Sequence, residues 1–481
     1  MDGYDDHDAT ALAALVAQGD AAPTTLLDAA LARADAADPA LRFMAHRQED
    51  AGRAAIAAGL PRGPFRGVPF LLKDLGAEAI AHPSSGGSRL LRDTRHGYDS
   101  ALWDRIRATG VATFGRTTAP EFGVGPSTEA AVYGAPTRNP WDPSRTPGGS
   151  SGGAGAAVAA GVVPMAHGSD GGWSIRIPAS CCGLLGFKAT RARLPDGPGA
   201  GEGWAGMAIE GVLARSVRDA AAMMDACAGP DLGAPYVAPP LGVGFMAAIQ
   251  APPRRLRVGV CETTFEGTAI HPDCRDAVRG AADLLDGLGH RVAAATPRAD
   301  HAGMMRAWTR IVACGTALTV RQALARRGRT LRPDDLEGVA RGALAYAARI
   351  DGAAYLDAVE TDHAYGRAMA RAFEGLDLLV SATLAEPPAV VGRFAHATED
   401  FEAYRIGAEG VFAYSPFCAA FNASGQPAVS VPLHWAEGLP IGVHLAAPYG
   451  EDETLLALCA ELEAARPWFD RRPPGPAGAA P

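Results

Sequence analysis

The chain has 481 residues, of which 48% are hydrophobic and 20% charged, and its formal net charge at pH 7 is −9. This balance is typical of a folded protein with a large core and excludes a disordered chain. The acidic charge, without any basic patch interleaved with aromatic residues, argues against nucleic acid or an anionic membrane as a partner.

Lysine is rare in this chain. Of 44 basic residues only Lys73 and Lys188 are lysines, so the other 42 are arginines. Arginine keeps its proton in proteins, whereas a buried lysine can lose one. A lysine that remains in such a sequence is a candidate for a neutral amine, with chance as the alternative.

The N-terminal residues, the apolar stretches and the cysteines together predict a cytoplasmic location. Residues 1–8 contain four Asp and no basic residue, the reverse of a signal peptide. No stretch is apolar enough to span a bilayer. The eight cysteines show no CxxC pair, and His271-x-x-Cys274 is too sparse for a metal site. We therefore expect reduced thiols, a cytoplasmic location and no metal.

Strand and helix patterns alternate along the chain. Helical periodicity occupies about 8–60, and RGVPFLLKDL (66–75) predicts a buried strand with Lys73 near its end. Two glycine-rich segments follow, a loop at 134–155 that opens into a small-residue helix, and a second loop at 168–180. The other predicted elements are a helix and strand at 98–117, strands at 256–260, 377–381 and 428–432, mostly helical patterns over about 270–375, a last helix at about 453–464 and a disordered tail at 471–481. The alternation indicates an α/β protein.

The two glycine-rich loops both contain serine. Glycine lets several backbone N–H groups approach one point, and serine with convergent amides provides a nucleophile and an oxyanion cradle for acyl transfer. The serine needs a base, and Lys73 lies in an apolar strand. Deprotonating a lysine of ordinary pKa at pH 7 costs about 4.6 kcal/mol. Burial reduces this cost, so the residues favour a Ser–Lys hydrolase.

Other interpretations of the same residues stay open. Ser151 fits the GxSxG nucleophile elbow, although that motif needs a strand before the serine and a later Asp and His; ordering of the loop is the alternative. Lys188 is either a second reactive amine or a partner in a structural ion pair. Asp170 and Arg176 are expected to brace the second loop rather than to perform chemistry.

Several motifs together resemble the amidase signature family. They are GVPFLLKD, TRNPWDPSRTPGGSSGG, GSDGGWSIRIPAS, CGLLGFKAT and FNASGQPAVSVP, in the family's order over nearly the whole chain. The resemblance implies one α/β/α domain over residues 1–470, with a mixed central sheet covered by helices on both faces. Its parts would be N-terminal helices at about 8–60, a signature core at about 61–230 and a variable, mostly helical substrate region at about 270–415.

The resemblance also implies a Ser–cisSer–Lys triad and no cofactor. Ser174 matches the nucleophile, Ser150 the bridging serine that follows a cis peptide bond, and Lys73 the base. The backbone N–H groups of Gly171, Gly172, Trp173 and Ser174 are candidates for the oxyanion hole. The implied activity is hydrolysis of carboxamides, with a small or oligomeric amide as the partner and a homodimer as the assembly expected in the family.

Trp173 departs from the family, which normally has Gly before the nucleophile. We predict that the indole forms a wall of the substrate pocket; the alternative is a distorted loop and a catalytically impaired binding protein.

Four segments, GHRV, FNASGQPA, PYG and the C-terminal PWFDRRP, resemble the hydrolases of nylon oligomers within this family. In that subfamily a cysteine near Cys314 faces the substrate. This resemblance makes Cys314 a candidate substrate contact, with a plain buried thiol as the alternative. Oligoamides, aryl amides and carbamates are the expected substrates. The glutaminase subunit of a tRNA-dependent amidotransferase is the rival within the family, and GFKATRARLPDG departs from that subunit's usual sequence.

Overall fold

The computed structural model describes residues 1, 3–92 and 94–475. Apolar runs and capped amphipathic segments define its elements; α7, for example, begins where the Ser216 hydroxyl accepts the backbone N–H of Asp219. The strands are β1 Met44–Arg47, β2 Pro69–Lys73, β3 Ala112–Thr117, β4 Met165–Asp170, β5 Leu185–Lys188, β6 Ile209–Ala214, β7 Arg257–Val260, β8 Arg291–Ala294, β9 Leu378–Ala382, β10 Ala428–Ala436 and β11 Leu439–Ala446. The helices are α1 Ala9–Gln18, α2 Pro23–Leu41, α3 Glu49–Ala58, α4 Ala101–Ala108, α5 Gly152–Ala159, α6 Arg176–Cys182, α7 Val217–Cys227, α8 Phe245–Ala248, α9 Pro272–Gly287, α10 His301–Arg327, α11 Gly338–Ala347, α12 Gly352–Ala372, α13 Phe401–Ile406, α14 Val411–Tyr414, α15 Ala419–Ala423 and α16 Asp452–Ala465.

The central sheet is mixed and has eight strands in the order β4-β6-β5-β10-β11-β9-β7-β8. The first five of these pair antiparallel, β11 pairs antiparallel with β9, and β7 pairs parallel with both β9 and β8. Helices cover both faces, as two neighbouring residues of β5 demonstrate: Gly186 lies against Ala179 of α6, whereas the ring of Phe187 packs on Phe245 of α8. The expected architecture of a mixed sheet between helical layers is confirmed.

A second sheet of three strands, in the order β1-β3-β2, places Lys73. All five residues of β2 are buried, and β2 runs parallel to β3, with Lys73 opposite Thr117 at its last position. The carboxyl end of β2 packs against β4 of the central sheet, because the backbone N–H of Lys73 donates to the ring of His167. The junction between the two sheets therefore carries the lysine.

The strands predicted near 66–75, 111–117, 256–260, 377–381 and 428–432 correspond to β2, β3, β7, β9 and β10. Two predictions were wrong. The N-terminal helices are interrupted by β1, which pairs antiparallel with β3. The loop predicted at 168–180 is shorter, since pairing with β6 extends β4 to Asp170 despite its Gly and Ser, and α6 begins at Arg176.

The C-terminal tail was predicted to be disordered over 471–481. The Arg471 guanidinium stacks on the ring of Trp435 at 4.5 Å, and that of Arg472 donates to the backbone carbonyl of Asp5 at 2.9 Å. Residues 476–481 lie outside the described residues, so for them disorder stays a prediction. Among the described helices, none combines the length and the apolar composition needed to cross a bilayer.

Candidate active site

A cavity of about 320 Å³ opens where the two sheets meet. Ser150, Ser169, Gly171, Ser174 and Trp204 are among the residues that line it. The two glycine-rich loops therefore converge on one space, as the sequence predicted, and both candidate catalytic serines reach it.

Lys73 lies beneath this cavity with no exposed surface. Its Nζ is 2.7 Å from Ser150 Oγ, 2.9 Å from Ser169 Oγ and 3.4 Å from the Ser169 carbonyl oxygen. Burial lowers the pKa of Lys73 to about 7, although the charges of Glu210 and Asp170 oppose the shift. A large fraction of this lysine is therefore a neutral amine at neutral pH.

The peptide bond between Gly149 and Ser150 is cis, which agrees with the bond that the family resemblance implies. The neighbouring Ser151 is fully buried, and its hydroxyl donates to the Ser169 carbonyl and accepts the Ser169 N–H, both at 3.3 Å. Ser151 thus ties the first loop to the end of β4. It orders the loop and does not sit on a strand-to-helix elbow.

The second loop, residues 171–174, is tied down by all four of its backbone carbonyls. Gly171 O accepts from the Trp308 indole, Gly172 O from the Arg176 guanidinium, Trp173 O from the Ile177 N–H and Ser174 O from the Ser151 N–H, at distances between 2.8 and 3.3 Å. The four N–H groups of the same residues have no acceptor in the part of the chain that the structure describes. Fixed carbonyls with free amides are the arrangement that an oxyanion hole requires.

The base of this loop is braced by a buried ion pair. Arg176 meets Asp170 through two bonds, Nη2 to Oδ1 at 2.9 Å and Nε to Oδ2 at 3.0 Å. Asn422 adds a bond from its Nδ2 to Asp170 Oδ1 at 2.9 Å, and the N–H of Ile175 donates to Oδ2. The Arg176 charge and these donors hold the pKa of Asp170 well below its usual range, so the brace is ionised.

The match to known proteins extends over almost the whole chain. The family model described as Amidase matches residues 25–456. The chain belongs to the amidase signature family. It is therefore an amidase that acts on carboxamide C–N bonds.

Individual relatives are similar over their full length. A protein of Paenarthrobacter ureafaciens named 6-aminohexanoate-cyclic-dimer hydrolase is 37% identical over 477 residues, which cover 97% of this chain and 96% of that protein. A solved structure of 6-aminohexanoate cyclic dimer hydrolase superposes with a TM-score of 0.92 at 36% identity, covering 98% of this chain and 99% of that one. A bacterial aryl acylamidase superposes with a TM-score of 0.86 at 28% identity, covering 96% and 98%.

Trp173 of this amidase points into protein rather than into the cavity. Its ring is 2% exposed, lies 4.9 Å from the ring of Trp308 and 5.6 Å from that of Phe412, and does not line the cavity among the described residues. The structure therefore places the Trp173 backbone in the loop and its indole in an aromatic cluster behind the loop.

The indole that does line the cavity is that of Trp204, which sequence reasoning missed. Trp204 and Ala205 both have positive φ, at 51° and 54°, in a turn closed by the bridge between Gly203 and Ala208. Non-glycine residues adopt this conformation rarely, and it occurs preferentially at functional sites. The turn carries the Trp204 ring against Gly171, where a Cβ would lie 2.5 Å from the ring. No local motif in the sequence marks this turn.

Cys314 lies on α10 and is partly exposed, and burial raises the pKa of its thiol. Cys314 is not among the described residues that line the cavity. Two other residues of α10 contact the site: Gly315 packs on Trp204, and Thr319 lines the cavity. The structure thus brings the helix of Cys314, but not the thiol itself, to the site.

Lys188 was expected to be either a second reactive amine or a partner in a structural ion pair, and among the described residues it forms no ion pair. The side chain is buried, and its Nζ donates to the Ala189 carbonyl at 3.0 Å with no carboxylate partner among the described residues. Burial lowers the pKa of Lys188 well below its ordinary value, which favours the neutral amine. A neutral amine needs only a hydrogen bond, and this removes the need for a counter-ion.

Proposed function

We propose that this amidase cleaves carboxamides through an acyl-enzyme on Ser174, with Lys73 as the base and Ser150 as the proton shuttle. The observation that carries the proposal is the 2.7 Å distance between Nζ of the buried Lys73 and Ser150 Oγ. Ser150 in turn shares the cavity with Ser174.

The contacts of Lys73 suit a neutral amine. Such an amine has two N–H groups and one lone pair. Its two N–H groups can donate to the hydroxyl and carbonyl oxygens of Ser169, and its lone pair can accept the O–H of Ser150. Ser150 can then take the proton of Ser174 as the Ser174 oxygen bonds to the substrate carbonyl carbon.

The free N–H groups of residues 171–174 are proposed to hold the carbonyl oxygen while it carries negative charge. The proton returns through Ser150 to the leaving nitrogen as the C–N bond breaks, which releases the amine. Water then attacks the Ser174 ester by the same path in reverse, releases the acid and restores the hydroxyl. The proton balance closes without any other group.

The lining of the cavity indicates the class of substrate. Its walls are largely apolar, with Leu75, Leu102 and Phe122 beside Trp204. The ionisable side chains among the described lining residues are Glu78, Asp196 and Glu210, and burial raises the pKa of Asp196 and of Glu210 to about 7. No Lys, Arg or His is among the described residues that line the cavity. A carboxylate on the substrate would lose its hydration beside these acidic groups without a cation to pair with. We therefore propose uncharged or amine-bearing substrates, namely cyclic oligoamides of ω-amino acids, aryl amides and carbamates.

The names of the relatives support this choice, since they refer to 6-aminohexanoate cyclic dimer and to aryl acylamide hydrolysis. We also propose that the enzyme works in the cytoplasm, where its eight free cysteines would stay reduced.

A substrate panel tests the proposal. The purified chain is assayed with 6-aminohexanoate cyclic dimer, p-nitroanilides of neutral, amine-bearing and carboxylate-bearing acids, and aryl carbamates. We expect turnover of the neutral and amine-bearing amides, trapping of the acyl group on Ser174 by acid quench and mass spectrometry, and a loss of at least about 10³-fold in Ser174→Ala.

The matched control is Ser180→Ala, a buried serine of α6 whose hydroxyl accepts the Gly442 N–H outside the cavity. It is expected to keep wild-type turnover. No turnover of any amide would favour the impaired binding protein. Glutaminase activity that appears only with a second protein would favour the amidotransferase subunit. Either result would overturn the proposal.

A further inference from the structure

Trp308 is a buried residue of α10 that contacts the second loop, residues 171–174, in two ways. Its Nε1–H donates to the Gly171 carbonyl at 3.1 Å. Its ring lies so close to Gly172 that a Cβ on that residue would be 2.9 Å from Cζ2 of the indole. Trp308 thus holds the carbonyl of one loop residue and leaves room only for hydrogen at the next.

We propose that Trp308 is a positioning residue that orients the Gly171–Gly172 peptide, so that the Gly172 N–H faces the acyl oxygen. This inference rests on the proposed acyl-enzyme on Ser174. In a trans peptide the C=O and the following N–H point in opposite directions. Because the Gly171 carbonyl is directed at Trp308, the Gly172 N–H is directed away from it. That N–H has no acceptor among the described residues.

The indole of Trp308 is itself held from several sides. Trp173 stacks on it with 33° between the ring planes, and Phe412 and Trp204 meet it edge-on at 5.4 and 5.9 Å. A buried aromatic ring in such a set of neighbours has few alternative rotamers. The Trp at position 173, where the family has Gly, therefore supplies one wall of the site that holds Trp308.

The guanidinium of Arg405 also packs against the indole of Trp308. Its guanidinium is fully buried, lies 4.9 Å from the Trp308 ring centre and 5.5 Å from that of Trp173, and is also close to the rings of Phe401 and Tyr404. None of its three side-chain nitrogens has a hydrogen-bond partner in the described part of the chain. The aromatic faces are thus the attractive partners of this cation, and they fix the rings around it.

The test removes the indole N–H and keeps an aromatic ring. Trp308→Phe is compared with Trp468→Phe, a matched control because Trp468 is 3% exposed and its Nε1–H donates to the Arg215 carbonyl at 2.9 Å, outside the cavity. The readouts are kcat and KM on the best anilide, the melting temperature, and the rate at which a fluorophosphonate probe labels Ser174.

We expect kcat of Trp308→Phe to fall by about 10- to 100-fold with KM within about two-fold, since loss of a whole oxyanion donor costs about 10²–10³. Labelling of Ser174 should slow by a similar factor, and both rates should be unchanged in Trp468→Phe. If Trp308→Phe fails to fold, the isostere 3-benzothienylalanine at position 308 removes the N–H alone and gives the same comparison.

Three results would overturn the inference. Rates in the Trp308 variant that match those of the control would show that the indole N–H has no role in the reaction. A raised KM with unchanged kcat would assign Trp308 to ground-state binding of the substrate. Wild-type protein that neither turns over amides nor is labelled at Ser174 would overturn the acyl-enzyme proposal itself, and the inference with it.

Discussion

Lys73 and His167 are joined across the two sheets by a hydrogen bond of 3.1 Å from the lysine backbone N–H to the ring Nδ1. Burial lowers the pKa of His167 to about 3, so the ring is neutral and carries its proton on Nε2. That nitrogen donates to Glu210 Oε2 at 2.8 Å. His167 therefore fixes the carboxyl group of Glu210 beside Lys73. Burial raises the pKa of Glu210 to about 7, and when this carboxyl is ionised its negative charge opposes the effect of burial on the lysine.

The first prediction concerns the acid limb of the pH profile. Because burial lowers the pKa of Lys73 to about 7, kcat/KM should rise with pH through about 7 as the amine loses its proton. Removing the Glu210 charge lowers the lysine pKa further, so Glu210→Gln should move this limb to lower pH by roughly one unit. The measurement is kcat/KM between pH 5 and 9, and Glu202→Gln, an exposed carboxyl, is the control. A limb that stays in place or moves to higher pH would contradict the prediction.

A second prediction uses the only two lysines of the chain. Both are buried with lowered pKa values, but Nζ of Lys73 is hydrogen-bonded to Ser150, whereas Nζ of Lys188 donates to the Ala189 carbonyl and to no other group among the described residues. Lys73→Met should lose about 10²–10⁴-fold in kcat, the usual contribution of a general base, and Lys188→Met should stay within about three-fold. Steady-state kinetics on one anilide measures both. Equal losses of kcat in the two variants would mean that both lysines act by supporting the fold and that neither acts as the base.

The main strands and the two serine-containing loops could be predicted from the sequence because their signals are local. Apolar runs marked β2, β3 and β9, and the serines and glycines of both loops are consecutive residues. The roles of Ser174, Ser150 and Lys73 followed instead from the resemblance to the amidase signature family and stay a proposal. The pairing of β4 with β6 could not be predicted, since a Gly–Ser–Asp segment has no strand propensity and is held in the sheet by its partner.

The positions of the tryptophan side chains could not be predicted from the sequence either. Trp173 adjoins the nucleophile, which suggested a pocket wall, yet neighbours more than 100 residues away, Trp308 and Phe412, draw its ring away from the cavity. Trp204 reaches the cavity through a turn with positive φ that no motif announces. Side-chain direction here depends on contacts distant in sequence.

The third prediction follows from the positions of Trp204 and Trp173. Trp204→Ala should raise KM by about ten-fold or more, because an aromatic wall of the cavity is lost. Trp173→Ala should instead lower the free energy of unfolding by about 3–5 kcal/mol, the cost of emptying a buried aromatic site, with KM nearly unchanged. Michaelis curves for anilides of increasing acyl size, together with urea unfolding, separate the two effects. If Trp173→Ala changed the order of KM values among the acyl groups, Trp173 would form a wall of the pocket, as the sequence predicted.

The fourth prediction concerns stability and pH. At pH 7–10 the unfolded chain binds a proton at Lys73, where the pKa is about 10.4, and the folded chain, with a pKa of about 7, largely does not. Folding therefore releases a proton from Lys73 in this window, and the contribution of this residue to the stability rises with pH. Lys73→Met avoids the deprotonation, so it should be more stable than the wild type at pH 7. The gain should shrink by about 1.4 kcal/mol for each unit toward pH 10. Urea unfolding of both proteins at pH 7, 8.5 and 10 measures the difference, and a gain that is constant or grows with pH would show that Lys73 is charged in the folded protein.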